Sequence, residues 1–293
     1  MRHPLFKHFS WDSGHIETVE SLGLVEAQRV RWYPLATYSP FLKTGKRQKE
    51  ITKLRDVGFC GNVYLGAVRN SEFFKNEVFK ELTTKICNDK LQLMNRSLWS
   101  LMIAEIENLS PTIRSDYGLY YDRKPFWDYY LFIAWQAANT LVRLGVLSKI
   151  EREVHLFGLF ADPGSVEAIR EYPNLKYEGM AHHFKELPEV YASTRINICI
   201  SNGLVYKGIP SKLIDCLASG GFALCDPKED LVRFFGPIVE RIFFSNVEEL
   251  NSKIDYYLAH PVERDEIVKE LGTRIHRDCT LEALFRQAIA CLE

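Results

Sequence analysis

The sequence lacks the features that mark membrane, secreted and nucleic-acid-binding proteins. No apolar run reaches the length of a membrane-spanning helix, and no secretory leader is recognisable. We therefore expect a cytoplasmic protein, and peripheral contact with the inner face of a membrane stays open. The net charge is only −1, from 37 basic and 38 acidic residues, so there is no electrostatic case for a nucleic-acid partner.

The sequence also lacks the common metal-binding and dinucleotide signatures. Its seven cysteines are an odd number without paired spacing, which indicates free thiols in a reducing compartment. No C-x-x-C, H-E-x-x-H or clustered His/Asp pattern occurs, so we expect no metal ion. Neither G-x-x-x-x-G-K-[ST] nor G-x-G-x-x-G is present, which excludes a P-loop and a dinucleotide fingerprint.

The most informative segment that is present runs from Lys207 to Cys225. An apolar run, Ile196–Ile200, and a short polar turn precede it, so the order reads strand, loop, helix, Gly-Gly turn, strand. A strand that leads through a loop to a helix N-terminus is a place where α/β proteins bind phosphate. Lys207 and Lys212 would add positive charge, and Asp215, one turn into the helix, could accept hydrogen bonds from a ribose. The segment predicts a nucleotide-diphosphate site.

A purely structural interpretation of the same segment stays open. Pro210-Ser211 is a sequence that starts many helices, and Gly220-Gly221 is one that ends them.

Short apolar runs alternate with helical patterns over most of the chain, which predicts α/β architecture with a doubly wound parallel sheet. The predicted strands cover residues 54–62, 154–157, 175–177, 196–200, 222–225 and 242–244. Ligands bind beyond the carboxyl ends of such strands. Gly61, Asn62, Gly158 and the loop around Lys207 all follow strands, so we expect them to line one cleft.

The sequence predicts two further parts of the chain in addition to the sheet. Residues 70–150 are rich in helical apolar patterns, which indicates a helical insertion inside the sheet domain. Residues 1–45 read as one strand–helix–strand unit, with strands at 6–12 and 29–33 and a helix at 13–22, followed by a linker. The predicted organisation is a first unit at 1–45 and a sheet domain at 46–293.

Six segments of the chain resemble, in the right order, the GT-B glycosyltransferases of the "group 1" kind, and within them the CgeB-like (spore maturation protein-like) branch. Gly208-Ile-Pro-Ser-Lys-Leu-Ile-Asp-Cys-Leu-Ala-Ser-Gly220 resembles that family's Gly-Ile-Pro-x-Arg-x-x-Glu-x-x-Ala-x-Gly run. The other five similar segments are Tyr33–Thr37, Asp56–Asn62, Asp230–Phe235, Glu248–Arg264 and Arg274–Thr280.

The resemblance implies a bacterial enzyme of the hexosyltransferase type that transfers sugar from a uridine or guanosine diphosphate to the hydroxyl of an acceptor, which could be a glycan, a lipid-linked molecule or a protein. It implies no metal ion and no cofactor, because basic side chains and helix dipoles stabilise the leaving diphosphate. It also implies that residues 1–45 are a remnant of a first Rossmann-like domain and that residues 46–293 are a nucleotide-sugar-binding domain. The implied donor-binding residues are Gly61, Asn62, Gly158, Lys207, Gly208, Ser211, Lys212 and Asp215.

The chain departs from the family at several of these positions. Asp215 replaces the usual Glu, Lys212 the usual Arg, and Cys279 the usual His; Lys207 stands where many members have an acidic residue. By the same resemblance, we expect that most of the first domain that a GT-B enzyme needs is missing from this sequence. The alternative is therefore a truncated or non-catalytic subunit that binds nucleotide, or a partner chain or second copy through the face of residues 1–35.

The catalytic base is unknown from the sequence. Asp12 and His15 follow a strand of the first unit and would face an acceptor, so either could serve as a general base. Asp12 could equally cap the helix that begins at Ser13. His182 and His183 lie in a loop that borders the donor pocket in the family, or they form an exposed loop pair.

Overall fold

The computed structural model describes residues 8–21, 23–26, 29–158 and 163–290. Its centre is a parallel sheet of five strands in the order β5-β4-β3-β6-β7. The strands are β3 (Arg55–Cys60), β4 (Val154–Phe157), β5 (Leu175–Gly179), β6 (Thr194–Cys199) and β7 (Ala223–Cys225). The chain starts in the middle at β3, builds outward to β5, and then crosses to β6. This reversal of strand order makes a topological switch point between β3 and β6.

The doubly wound Rossmann-like sheet predicted from the sequence is confirmed. Val57 of β3 is in register with Val154 of β4 and with Ile196 of β6, and all three side chains are fully buried. Apolar residues buried on both faces are typical of a central parallel strand.

One predicted strand is wrong. Residues 242–244 form no strand: a 3-10 helix spans Pro237–Ile242, and Phe243 makes only a single bridge to Cys225. Asn246 then caps the next helix, so too few residues remain between the two helices for a strand to form.

The predicted helical insertion is confirmed, and it covers one side of the sheet. Phe126 and Tyr129 are fully buried in its core, as expected for aromatic residues on an apolar helical stripe. A π-helix at Phe132–Ala137, which the sequence did not predict, joins two of the helices. The helices are α3 (Leu65–Asn70), α4 (Glu72–Lys75), α5 (Glu77–Gln92), α6 (Leu98–Glu107), α7 (Pro111–Asp116), α8 (Lys124–Leu131) and α9 (Ala138–Leu147).

The N-terminal unit is the expected strand–helix–strand. Strands β1 (His8–Ser10) and β2 (Val30–Trp32) pair in parallel and flank helix α1 (Ser13–Ser21). The predicted strand start at residues 6–7 and the helix end at residue 22 lie outside the described residues. The unit is fastened to the main domain at Asp230, which accepts hydrogen bonds from Ser13 N (2.8 Å) and Trp32 Nε1 (2.9 Å).

The remaining helices are α2 (Ser39–Lys46), α10 (Pro163–Ile169), α11 (Leu187–Ser193), α12 (Ser211–Ala218), α13 (Glu229–Phe235), α14 (Val247–Ala259), α15 (Pro261–Asp278) and α16 (Leu281–Ala290), together with a 3-10 turn at Gln48–Glu50. Of these, α10 packs against α3 of the insertion, whereas α2, α11, α12 and α15 pack against one another. None of the helices in the described ranges is long and apolar enough to span a bilayer.

Candidate functional site

A cleft of about 640 Å³ lies at the carboxyl ends of β3 and β4 and at the N-terminus of α12. This is the edge of the sheet, beside the switch point, where α/β folds bind ligands. Six residues predicted from the sequence line it together: Gly61, Asn62, Gly158, Ser211, Lys212 and Asp215.

The two glycines allow the strand ends to meet at the floor of the cleft. Gly61 N donates a hydrogen bond to Phe157 O at 2.8 Å. A Cβ atom on Gly158 would lie only 2.1 Å from the carbonyl oxygen of Gly61. A side chain at Gly158 would therefore push β3 and β4 apart. The floor of the cleft can form only because this position has no side chain.

Lys212 supplies positive charge to the cleft. Its Nζ donates to Cys60 O at 3.1 Å and lies 4.8 Å from the centre of the Phe59 ring. Burial, followed by the positive charge of Arg143, lowers the pKa of Lys212 to about 8. Among the described residues, no acidic side chain forms an ion pair with Lys212. A partly buried cation without a carboxylate partner is a natural binding group for an anion.

Arg143 of α9 is a second cation near the cleft, this one buried, and sequence analysis missed it. One guanidinium N–H donates to Asn62 O at 2.9 Å, and the guanidinium lies 5.8 Å from the centre of the Phe59 ring. Its Nε is buried, and no group in the described part of the chain forms a hydrogen bond with it. Burial lowers the pKa of Arg143 to about 10, so it stays charged at neutral pH. The sequence did contain a signal for Arg143, because it is the one charged residue in the apolar run Leu141–Leu144.

The N-terminus of α12 contributes free backbone donors. Its N-cap residue, Pro210, has no side-chain acceptor, and the first N–H groups of a helix have no partner within it. The positive end of the helix dipole adds to the charge of Lys212. Backbone and side chain together favour an anion beside Ser211.

Asp215 lies one turn further along α12 and is mostly buried. Its Oδ1 accepts a hydrogen bond of 2.6 Å from Thr37 Oγ1, which comes from the linker after β2. Burial raises the pKa of Asp215 above its usual range, although the bond from Thr37 opposes the shift. Thr37 is another residue that sequence analysis did not propose for the site. Its hydrogen bond fixes the orientation of the Asp215 carboxylate.

His182 and His183 lie in an exposed loop, and both also line the cleft. The imidazole of His183 packs edge-on against Phe41, with 5.2 Å between ring centres. The two interpretations drawn from the sequence are therefore compatible: the pair is exposed and borders the cleft.

Lys207 and Gly208 lie outside this cleft, in contrast to the six residues that line it. Lys207 Nζ forms ion pairs of 2.9 Å with Glu17 of α1 and Glu229 of α13. A Cβ on Gly208 would lie 2.8 Å from the Trp11 ring. Both residues hold the loop before α12 against the N-terminal unit.

Asp12 and His15 also contribute to the contact between the N-terminal unit and the loop before α12. The Asp12 carboxylate is fully buried and accepts hydrogen bonds from Gly14 N (2.8 Å), Tyr206 N (2.7 Å) and Lys207 N (3.1 Å). It therefore caps α1 and holds the loop, and both oxygens are occupied, so the geometry does not suit a general base. His15 Nε2 lies 3.1 Å from Leu204 O, in the same structural contact.

Comparison with known proteins gives one family and several similar folds. The model of a family described as "Glycosyl transferase-like" matches residues 143–290, just over half of the chain. No curated protein matches the sequence.

Two solved structures of similar fold cover nearly the whole chain. A glycosyltransferase from Rickettsia africae ESF-5 covers 98% of it at 8% identity, with a TM-score of 0.52. Anabaena Alr3699/HepE, solved in complex with UDP, covers 97% at 8% identity, with a TM-score of 0.50. The chain spans only 63% and 62% of those proteins, less than two thirds of either. At such low identity the similarity is one of fold, and it agrees with the GT-B prediction.

Proposed function

Because the chain belongs to the glycosyl transferase-like family, we propose that it binds a nucleoside diphosphate sugar in the cleft and transfers the sugar to an acceptor hydroxyl. The observation that carries the proposal is Lys212, a partly buried cation with no carboxylate partner among the described residues, at the N-terminus of α12 in a cleft at the switch point of the sheet. A similar fold that was solved with UDP supports uridine diphosphate as the nucleotide.

The geometry suggests how each part of the donor would be held. The diphosphate would lie against Ser211 and Lys212, where backbone N–H groups and a cation meet. Asp215, one turn along α12, would accept hydrogen bonds from the ribose. When the bond from the sugar C1 to the phosphate oxygen breaks, negative charge develops on the diphosphate. Lys212, Arg143 and the helix dipole would stabilise that charge without a metal ion.

Asp215→Asn tests the ribose assignment. We expect the variant to bind UDP more weakly by about 1.5–3 kcal/mol, the range typical of a hydrogen bond to a charged group. Binding of inorganic pyrophosphate should be nearly unchanged, because pyrophosphate has no ribose. Titration calorimetry measures both affinities, and pyrophosphate serves as the internal control.

Two results would contradict these assignments. Equal losses of affinity for UDP and pyrophosphate would mean that Asp215 supports the helix and does not contact the nucleoside. Failure of the unmodified protein to bind UDP, guanosine diphosphate and pyrophosphate would contradict the proposed donor site as a whole.

A second candidate function is that of a subunit that binds the donor but depends on another chain for transfer. Leu281, Phe285 and Ile289 of α16 are exposed and recur at every fourth position, so they form one apolar face. Phe9 of the N-terminal sheet is also exposed, and two strands do not make a stable sheet alone. These exposed apolar side chains favour the interpretation that the chain binds a partner chain or a second copy of itself.

We expect the isolated chain to bind donor with slow or no transfer. Rate enhancement depends on holding donor and acceptor together in a closed cleft, and no described residue of the N-terminal unit lines the cleft. The measurement is release of UDP from UDP-glucose, with and without simple sugar acceptors, combined with light scattering to give the oligomeric state. Rapid transfer by a monomer would contradict the subunit interpretation.

A further inference from the structure

The helical insertion carries an exposed apolar ridge, formed by Trp127, Leu131 and Trp135. The exposed fractions of these residues are 40%, 53% and 55%. They are spaced four apart along α8 and the π-helix that follows it, so they lie on one face. The opposite face is packed in the core through Phe126 and Tyr129. A row of three large apolar side chains that are 40–55% exposed on one face is unusual for a surface without a ligand or partner.

The backbone at Trp135 is also unusual. It lies in the π-helix Phe132–Ala137, and π-helical turns are rare and concentrate at functional sites. The side chain of Asn139 supports this turn, because its Nδ2 donates to the carbonyls of Ala134 (3.3 Å) and Trp135 (2.8 Å). The exposed Trp135 therefore lies in an irregular helical turn that the Asn139 side chain stabilises.

A groove of about 570 Å³ lies beside Trp135, and its lining combines two kinds of group. The aromatic rings of Phe73, Phe132 and Trp135 meet the planar polar groups of Glu72, Asp128 and Gln136 there. Sugars have the complementary character: C–H groups that pack on the electron-rich face of an aromatic ring, and hydroxyls that bond to carboxylates and amides.

The carboxylates of the groove can exchange their lysine partners for a ligand at a small cost in free energy. Glu72 pairs with Lys75 at 3.1 Å and Asp128 with Lys124 at 2.5 Å, both on the exposed surface. Exposed ion pairs of this kind contribute about 0–1 kcal/mol, so hydroxyl groups can compete with the lysines. The same two carboxylates make the groove a poor match for an anionic membrane surface.

We propose that the groove around Trp135 binds a saccharide, the sugar portion of the acceptor; this use of the groove rests on the proposed transfer function. Helix α3 connects the two sites: Asn62 at the cleft precedes it and Ser71 at the groove follows it. A helix of six residues is about 9 Å long, so the groove lies close enough for an oligosaccharide to extend toward the donor.

The test is binding of an array of defined neutral and acidic oligosaccharides to the full chain, followed by tryptophan fluorescence and calorimetry on those that bind. Trp135→Ala should weaken binding by about tenfold or more, as expected when one aromatic anchor is truncated. Gln136→Ala, which removes only a polar contact, should weaken it less. Trp127→Ala is the matched control, because Trp127 is outside the groove and stacks on Trp99 at 5.8 Å.

The control should bind saccharide like the unmodified protein, and all three variants should keep the unmodified affinity for UDP. If UDP binds but no oligosaccharide does, the groove inference is overturned and the donor function stands. If saccharide binds with the expected dependence on Trp135 but UDP does not, the groove stands and the donor function fails. If Trp135→Ala instead converts a dimer into a monomer, the ridge is a protein interface and the inference is wrong.

Discussion

Lys212→Ala is expected to weaken UDP binding by about 1.5–3 kcal/mol, or roughly ten- to a hundredfold. The variant loses the cation that lies nearest to the expected diphosphate, at the N-terminus of α12. Lys207→Ala is the matched control: this lysine belongs to the same sequence segment, but its Nζ pairs with Glu17 and Glu229 outside the cleft. We expect the control to bind UDP nearly normally in calorimetry. Equal losses in the two variants would contradict the placement of the diphosphate at Ser211 and Lys212.

The same lysine predicts the pH dependence of donor binding. Because burial and Arg143 lower the pKa of Lys212 to about 8, the side chain becomes neutral as the pH rises above that value. The affinity for UDP should therefore fall above about pH 8, and UDP binding near that pH should take up a proton. Calorimetry in buffers of different ionisation enthalpy measures the uptake.

Arg143→Met tests the contribution of Arg143 to UDP binding separately from that of Lys212. It should weaken UDP binding at pH 7, because one positive charge below the cleft is lost. It should also raise the pKa of Lys212, since Arg143 is one of the groups that lower it, and so move the fall in affinity to higher pH. An unchanged pH profile would show that Arg143 is not coupled to Lys212.

Asp226→Ala is expected to cost about 3–5 kcal/mol of the free energy of unfolding, the range for breaking a buried ion pair by removing one partner. Asp226 Oδ2 lies 3.0 Å from Lys228 Nζ, and both side chains are almost completely buried. Its Oδ1 accepts a hydrogen bond of 2.8 Å from Ser201 N, which holds the loop after β6. The variant would leave Lys228 charged and buried without its carboxylate, next to the buried ammonium of Lys90. Urea denaturation measures the loss.

Two comparisons make this expectation specific. Asp255→Ala removes one member of the exposed pair Arg152–Asp255 and should cost about 0–1 kcal/mol. The double variant Asp226→Leu with Lys228→Met should recover much of the lost stability, because replacing both ions with apolar groups is often neutral. If Asp226→Ala were no more destabilising than Asp255→Ala, the buried pair would not be a structural element of the fold.

Acid should weaken the same contact. Burial by itself would raise the pKa of Asp226, but the charges of Lys228 and Lys90, together with the hydrogen bonds from Ser201 and Lys228, hold the pKa below its usual value. The folded state therefore binds a proton at Asp226 less readily than the unfolded chain does. The resulting stabilisation is complete above about pH 4 and is lost as the pH falls through the lowered pKa.

The sequence by itself determined the elements that depend on local pattern. Apolar runs bounded by glycines and polar turns predicted β3, β4, β5, β6 and β7, because a buried parallel strand needs little beyond its own composition. The order strand, loop, helix likewise located α12 and its N-terminus, where we propose that the diphosphate binds. The prediction failed at residues 242–244, where an apolar run lies between two helices and has no room to pair.

The tertiary structure decided which side chains share the cleft. Lys207 and Lys212 look equivalent in the sequence, but Glu17 and Asp12 of the N-terminal unit hold the Lys207 loop away from the cleft. Arg143 reaches Asn62, and Thr37 reaches Asp215, only through folding. Such contacts join residues far apart in the chain, so their partners depend on how the helical insertion, the linker and the sheet pack together.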